Sequence, residues 1–258
     1  IVVRTWRPAI QRALTGLWAG LLAGLLACAL SGVPSLVTGE EIRKDYQGFT
    51  LWIDCERKAA VRFYYHLERD VGNVERDNDF SFDPEMDRSC QQTSTATYEP
   101  RSLDFDRGHL VPFNHMDFSH EAAVETNYMV NILPQASTMN RKAWYQTELI
   151  SECYREYYAL DIMGGPFWSS DSRFLTSHGI SVPESFWKVI RRNDDSIAWI
   201  IPNVEEATGD NLDQYIVSLE EIEKRTGQDV ALDIERNYTG TLDSWDVEKC
   251  KPLKYWRK

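Results

Sequence analysis

DFDRGHLVPFNHMDF, running from Asp104 to Phe118, sets an arginine, a glycine and two histidines between aspartates and aromatics. Its centre is Asp106-Arg107-Gly108-His109, a carboxylate, a guanidinium and a residue without a side chain placed directly before an imidazole. Glycine lets the backbone come close to a ligand or adopt a positive φ. Arginine forks onto phosphate or carboxylate, and a neutral histidine takes a proton from water near pH 7. Singly these residues are ordinary in a polar turn. Together they are the parts used around a phosphodiester. His109 and His115 stand six apart, a spacing that fits neither the i,i+4 pair of a helical zinc site nor a simple strand-face repeat. A zinc hydrolase built on both histidines would need a third ligand that no motif supplies.

Downstream, Asn131 to Gln135 (NILPQ) and Asn140 to Glu148 (NRKAWYQTE) gather amides before a helix that carries an acid. Read plainly, Asn140 is a helix N-cap and Glu148 a solvated helix face. An amide oxygen is also a hard ligand suited to Mg²⁺, which keeps most of its waters. On a regular helix eight residues put Asn140 and Glu148 about 80° apart around the axis and about 12 Å apart along it. Unless the helix start bends, Glu148 therefore suits holding water near a metal better than inner ligation.

Working outward, FTLWID (Phe49–Asp54) and AAVRFYYHL (Ala59–Leu67) read as strands, the second by alternation of Val61, Phe63, Tyr65 and Leu67. Asp70 to Ser94 is polar, carries Gly72 and Pro84, and reads as a long loop held by cysteines. Tyr128–Pro134, LDIMGGPFW, SFWKVIRR and SIAWIIP read as further strands, and Asn140–Leu160, free of Gly and Pro, as a helix. Asn211–Arg225 reads as an amphipathic helix, with Leu212, Tyr215, Ile216, Leu219 and Ile222 on one face and Gly227 as its stop. Helices and strands mix without a βαβ rhythm, which predicts an α+β fold with a central, largely antiparallel sheet flanked by helices.

The first 39 residues are a separate region. Arg4, Arg7 and Arg12 are their only charges, and an apolar run follows from Ala13 to Leu30. This is the pattern of a signal peptide, with a retained N-terminal anchor or a mitochondrial presequence as alternatives. The expected organisation is a leader over 1–39 and one domain over 40–258. The expected destination is export to the periplasm or medium, or else the mitochondrial intermembrane space or a membrane anchor. Without a retained anchor, no stable membrane partner is expected. Four cysteines beyond the leader suit two disulfides in an exported domain, and the expected pairs are Cys55–Cys90 and Cys153–Cys250. Asn237-Tyr238-Thr239 is a glycosylation sequon.

The formal net charge is −12, and −15 once the three leader arginines are set aside. Such a balance excludes a broad basic footprint of the kind that holds nucleic acid tightly. Any nucleic-acid site must concentrate its cations locally, and its binding is expected to be weak and salt-sensitive.

DRGH, NILPQ and NRKAWYQTE, in that order, closely resemble the DNA/RNA non-specific endonucleases with a ββα-metal (His-Me finger) motif. The likeness runs from about Gly48 to about Thr226, including ERDNDFSFDP upstream and GGPFW downstream. The resemblance implies a sugar-non-specific endonuclease cutting DNA and RNA to 5′-phosphate and 3′-hydroxyl ends. It casts His109 as general base and Asn140 as the protein ligand of one Mg²⁺, with Mn²⁺ as a substitute. Glu148 matches the acid that orients water on the metal, Asn131 and Gln135 the supporting amides, Arg107 the motif arginine and Arg76 an upstream phosphate contact. One departure stands out: some secreted members carry an arginine one turn beyond the glutamate, where this chain has Glu152. Arg141, Lys142 and Arg155 are the cations nearby that could replace it. Relatives form dimers, so a homodimer is one expected assembly. The alternative function is a catalytically inactive secreted relative that keeps the fold as a nucleic-acid-binding or scaffold module.

Overall fold

The computed structural model describes residues 41–228 and 243–250. The expected leader and the sequon lie outside the described residues. Six strands form one antiparallel sheet in the order β1-β2-β3-β6-β9-β10. They are β1 (Glu41–Asp45), β2 (Thr50–Asp54), β3 (Ala59–Leu67), β6 (Leu160–Phe167), β9 (Ser185–Arg192) and β10 (Asp195–Pro202). Two ribbons accompany it, β4 (Phe105–His109) with β5 (Ile132–Ala136) and β7 (Phe174–Leu175) with β8 (Ile180–Ser181). The helices are α1 (His120–Thr126), the single turn α2 (Ser137–Met139), α3 (Tyr145–Arg155) and α4 (Leu219–Thr226). The expected α+β class with an antiparallel central sheet is the fold observed.

Period-2 side-chain alternation explains how the sheet is covered. On β3, Phe63, Tyr65 and Leu67 are buried in the main core. β9 is buried on both faces: Phe186 and Ile190 join the main core, while Trp187 and Val189 join a smaller cluster capped by Ile222 of α4. Lys188 shares the Phe186 face, so it points into the core beneath the β4–β5–α3 unit. Trp144, Trp187 and Trp199 are among the largest fully buried side chains. Burying a large apolar side chain contributes roughly 1.5–3 kcal/mol.

Both expected disulfides are present, Cys55–Cys90 and Cys153–Cys250. The first ties the β2–β3 turn to the long irregular segment after β3. Among the described residues no helix is long and apolar enough to cross a membrane.

Three element readings need correction. Tyr128–Pro134 is not one strand, because Met129–Asn131 forms a 3₁₀ turn and β5 starts at Ile132. Asn211–Arg225 is not one helix: a 3₁₀ segment, Gly209–Tyr215, gives way at Ile216, which bridges Trp199, and α4 starts only at Leu219. The break has a local cause, since the Ser218 hydroxyl accepts from Glu221 N–H and starts a new helix. The helix expected over Asn140–Leu160 ends at Arg155, leaving Tyr157 exposed, and the helical run begins upstream of Asn140, at Ser137.

Candidate active site

β4 delivers the DRGH residues to a cleft. Antiparallel pairing sets Asp106 opposite Gln135, Gly108 opposite Leu133 and His109 opposite Ile132. Gly108 makes room for a neighbour: a Cβ there would lie 2.1 Å from Gln135 Oε1, which is why the position excludes a side chain. α2 follows β5 directly, and Asn140–Trp144 then forms a π-helical turn that runs on into α3. Two strands and a helix are thus packed as one unit. Its clamp is Trp144, fully buried, whose indole N–H donates to the His109 carbonyl at 3.1 Å.

The cleft has a volume of about 910 Å³, and its lining includes Arg76, Arg107, His109, Asn140, Arg141 and Glu148. The fold therefore gathers five of the seven residues matched to the motifs. Asn131 and Gln135 are the exceptions. Asn131 is fully buried, donates to the carbonyls of Val111 and Thr126 at 2.9 and 2.8 Å, and accepts from Val111 N–H at 3.0 Å. Its amide braces the turn that follows His109. Gln135, also fully buried, packs over Gly108.

His109 is 7% exposed, and its Nε2 lies 2.9 Å from Asn127 Oδ1. The Asn127 amide nitrogen donates to Asp77 Oδ1 at 2.8 Å, so the oxygen is the end left for the imidazole. Facing an acceptor, Nε2 carries the hydrogen and Nδ1 keeps its lone pair. The Phe80 ring stands 5.5 Å from the imidazole, and the Arg107 guanidinium lies 3.9 Å over the same ring while donating to Thr95 O at 2.7 Å. Burial pushes the His109 pKa down to about 4, against the Asn127 hydrogen bond, with the Arg76 and Arg107 charges adding to the fall. The ring is therefore neutral at pH 7.

Asn140, also lining the cleft, donates an amide N–H to Asp106 Oδ2 at 3.0 Å. Arg141 closes a fork on the same carboxylate, Nε to Oδ2 at 2.8 Å and Nη2 to Oδ1 at 2.6 Å. With its nitrogen engaged, Asn140 has its amide oxygen to offer. That is a hard, neutral donor in the same cleft as the Glu148 carboxylate, a set that fits a divalent cation held mainly by water. Among the described residues no group of three or more His, Cys, Asp or Glu could hold a metal ion, so a closed zinc site does not form there.

Glu148 stands near a buried cation. Lys188 is fully buried, donates to Thr147 Oγ1 at 2.8 Å and lies 3.6 Å over the Trp144 ring. Burial raises the Glu148 pKa, while the charges of Lys188 and Arg76 pull it down. Burial lowers that of Lys188, and Glu148 pulls it up.

Glu152, at the position where the resemblance led to an expected arginine, is not idle. Its Oε1 lies 3.1 Å from His115 Nε2 and 3.3 Å from Arg155 Nη1. His115 in turn meets the Tyr65 hydroxyl at 2.8 Å through Nδ1. Burial pushes the Glu152 pKa up, but His115, Arg155 and Asn114 outweigh it and hold the carboxyl low. His115 is thus an internal bridge rather than a partner of His109. Arg155 is buried, bonded to Glu152 and to Glu68 O, and supplies no cation to the cleft.

Sequence reading missed Asp77, Asn127 and Lys188 and gave Asp106 no task. Asp77 lies inside the ERDNDFSFDP stretch, but neither spacing nor periodicity relates it to Asn127, fifty residues on. Lys188 sits in an apolar strand, and its inward register on β9 was the available signal.

A β4–β5–α3 unit that brings a histidine and an asparagine to one cleft defines a ββα-metal nuclease fold. The family model described as DNA/RNA non-specific endonuclease matches residues 31–237, and the chain belongs to that family. It is 29% identical to a nuclease of Nostoc sp. over 192 residues, covering 67% of each chain. It is 26% identical to human mitochondrial endonuclease G over 203 residues, covering 71% of this chain and 67% of that one. Against the mouse mitochondrial nuclease EXOG the match is 26% identical and spans 74% of this chain but only 57% of the relative. The crystal structure of an EndoG/EndoGI complex shares the fold, with a TM-score of 0.61 and 20% identity, covering 77% of this chain and 89% of that one.

Proposed function

We propose that this chain is an exported, Mg²⁺-dependent, sugar-non-specific endonuclease with His109 as general base. The observation that carries the reading is the free Nδ1 of a neutral His109 in the same cleft as the Asn140 amide oxygen and Glu148. Nδ1 takes a proton from water as the water oxygen bonds to phosphorus. The bond from phosphorus to the 3′ oxygen breaks, that oxygen takes a proton from a solvent water to leave as a 3′-hydroxyl, and the phosphate stays on the 5′ side. Arg76 and Arg107 attract the phosphate backbone locally, which reconciles nucleic-acid chemistry with an acidic chain. Asn140 and Glu148 would hold the cation, Mg²⁺ or Mn²⁺, which supplies charge neutralisation at the phosphoryl oxygens. Contacts of this kind address backbone rather than bases, in keeping with low sequence specificity. Export is supported by the two disulfides.

The test is cleavage of supercoiled plasmid and of single-stranded RNA, with Mg²⁺ and with EDTA, beside His109→Ala. Metal-dependent cutting of both, lost by about 10²–10⁴-fold in the variant, is the expected outcome. A folded, oxidised protein that cuts neither would favour the non-catalytic module.

A further inference from the structure

The residues that touch the cleft do not by themselves decide which nitrogen of His109 is basic. That decision passes through an asparagine amide, whose two ends are nearly the same size. Turned one way, Asn127 offers its oxygen to Nε2 and leaves Nδ1 as the base. Turned the other way, it offers an N–H, Nε2 becomes the acceptor, and the hydrogen moves to Nδ1. Both arrangements satisfy the pair, and neither changes the packing.

What breaks this symmetry is a carboxylate, which can only accept. Asp77 Oδ1 takes the Asn127 amide hydrogen at 2.8 Å and also the Asp79 backbone N–H at 3.2 Å, so the turn of its own loop holds it in place. The same irregular segment grips Asn127 by its backbone, since Ser81 N–H donates to Asn127 O at 3.2 Å and Met129 N–H donates to Ser81 O at 2.9 Å. It also carries Phe80 against the imidazole. Asn127 is therefore held by backbone and side chain from one stretch of chain, while His109 comes from β4.

We infer that Asp77 is a positioning residue, which fixes the Asn127 amide and thereby sets the tautomer of His109 with Nδ1 free. The inference rests on His109 being the base of the proposed function, but the tautomer itself can be read without activity. Fixed partners of this kind hold a histidine's tautomer and orientation in many sites, and their removal typically costs about 10–100-fold.

The experiment is ¹⁵N NMR of the His109 ring near pH 7 in the full protein, for wild type, Asp77→Ala and Asp77→Asn, with kcat and KM on plasmid DNA. Wild type should show Nδ1 unprotonated and Nε2 protonated. Asp77→Ala should shift the ring toward the other tautomer and lower kcat about tenfold, with KM within about twofold. Asp77→Asn keeps an acceptor oxygen and should restore both readings, which a merely damaged fold would not do. Nε2 unprotonated in wild type, or an unchanged ring in Asp77→Ala, would overturn the inference. If the ring responds to Asp77→Ala but His109→Ala still cuts, the inference stands and the general-base assignment falls.

Discussion

Asp106 Oδ2 accepts the amide nitrogen of Asn140 at 3.0 Å, so one motif aspartate determines which end of the asparagine faces the cleft. Replacing Asp106 by alanine frees that amide and also releases Arg141. The Mg²⁺ concentration for half-maximal plasmid cleavage should rise by about tenfold or more, whereas Arg141→Ala should move it far less. An unchanged Mg²⁺ requirement in Asp106→Ala would show that the carboxylate is not what holds the ligand.

The buried imidazole also makes stability depend on pH. The His109 pKa is about 4 in the fold against an ordinary 6.5, mainly through burial. An unfolded chain thus binds this proton at a pH where the folded one does not, and stability rises with pH across that window. The contribution is complete above about pH 6.5 and falls by up to about 3 kcal/mol as pH drops to about 4. His109→Gln should flatten this slope in urea unfolding between pH 4 and 7. Parallel curves for variant and wild type would contradict the assignment.

Placing an arginine at position 152, one turn beyond Glu148, should harm this protein rather than improve it. Glu152→Arg would set a cation against Arg155 and His115 in a site where Glu152 is only 9% exposed. Breaking a buried pair by removing one partner typically costs about 3–5 kcal/mol, and the like charge adds to that. Thermal denaturation measures the loss, and an unshifted Tm would mean that the triad is too well solvated to matter.

Cys153–Cys250 closes a loop with a sequence separation of 97 residues and fastens the 243–250 segment to α3. Cys250→Ser should lower unfolding free energy by about 2–5 kcal/mol, by restoring freedom to the unfolded chain. Activity at low temperature should change little, because neither cysteine lines the cleft. An unaltered urea midpoint would show that the link is dispensable.

Much of the fold was legible because its signals are local. β3 alternates apolar and polar residues, β9 and β10 are short apolar runs bounded by turns, and the cysteine number limited the disulfide pairings to three. Where the reading failed, a single capping residue or turn outweighed periodicity, as Ser218 does in splitting Asn211–Arg225. The cleft was legible as motifs, since DRGH lies within β4 and NRKAWYQTE within one unbroken helical run. Its supports were not, because Asp77, Asn127 and Lys188 reach their partners across long stretches of chain, and no local pattern encodes an inter-element hydrogen bond. Asn131, matched as a supporting amide, does its bonding to backbone, at Val111 and Thr126.

The widened turn at Asn140–Trp144 has one more consequence. A π turn amounts to one residue spliced into an α-helix, and each residue advances the helix by about 100°. Downstream, Trp144, Thr147, Ile150 and Cys153 are locked in phase with the sheet, and upstream Asn140 is locked in phase with Asp106. The two phases differ, and the spliced residue reconciles them. Deleting any one residue from Arg141 to Ala143 would give a smoother helix in which either the indole misses the His109 carbonyl or the amide misses the cleft. The irregular turn is a phase adapter between a face selected for packing and a face selected for chemistry.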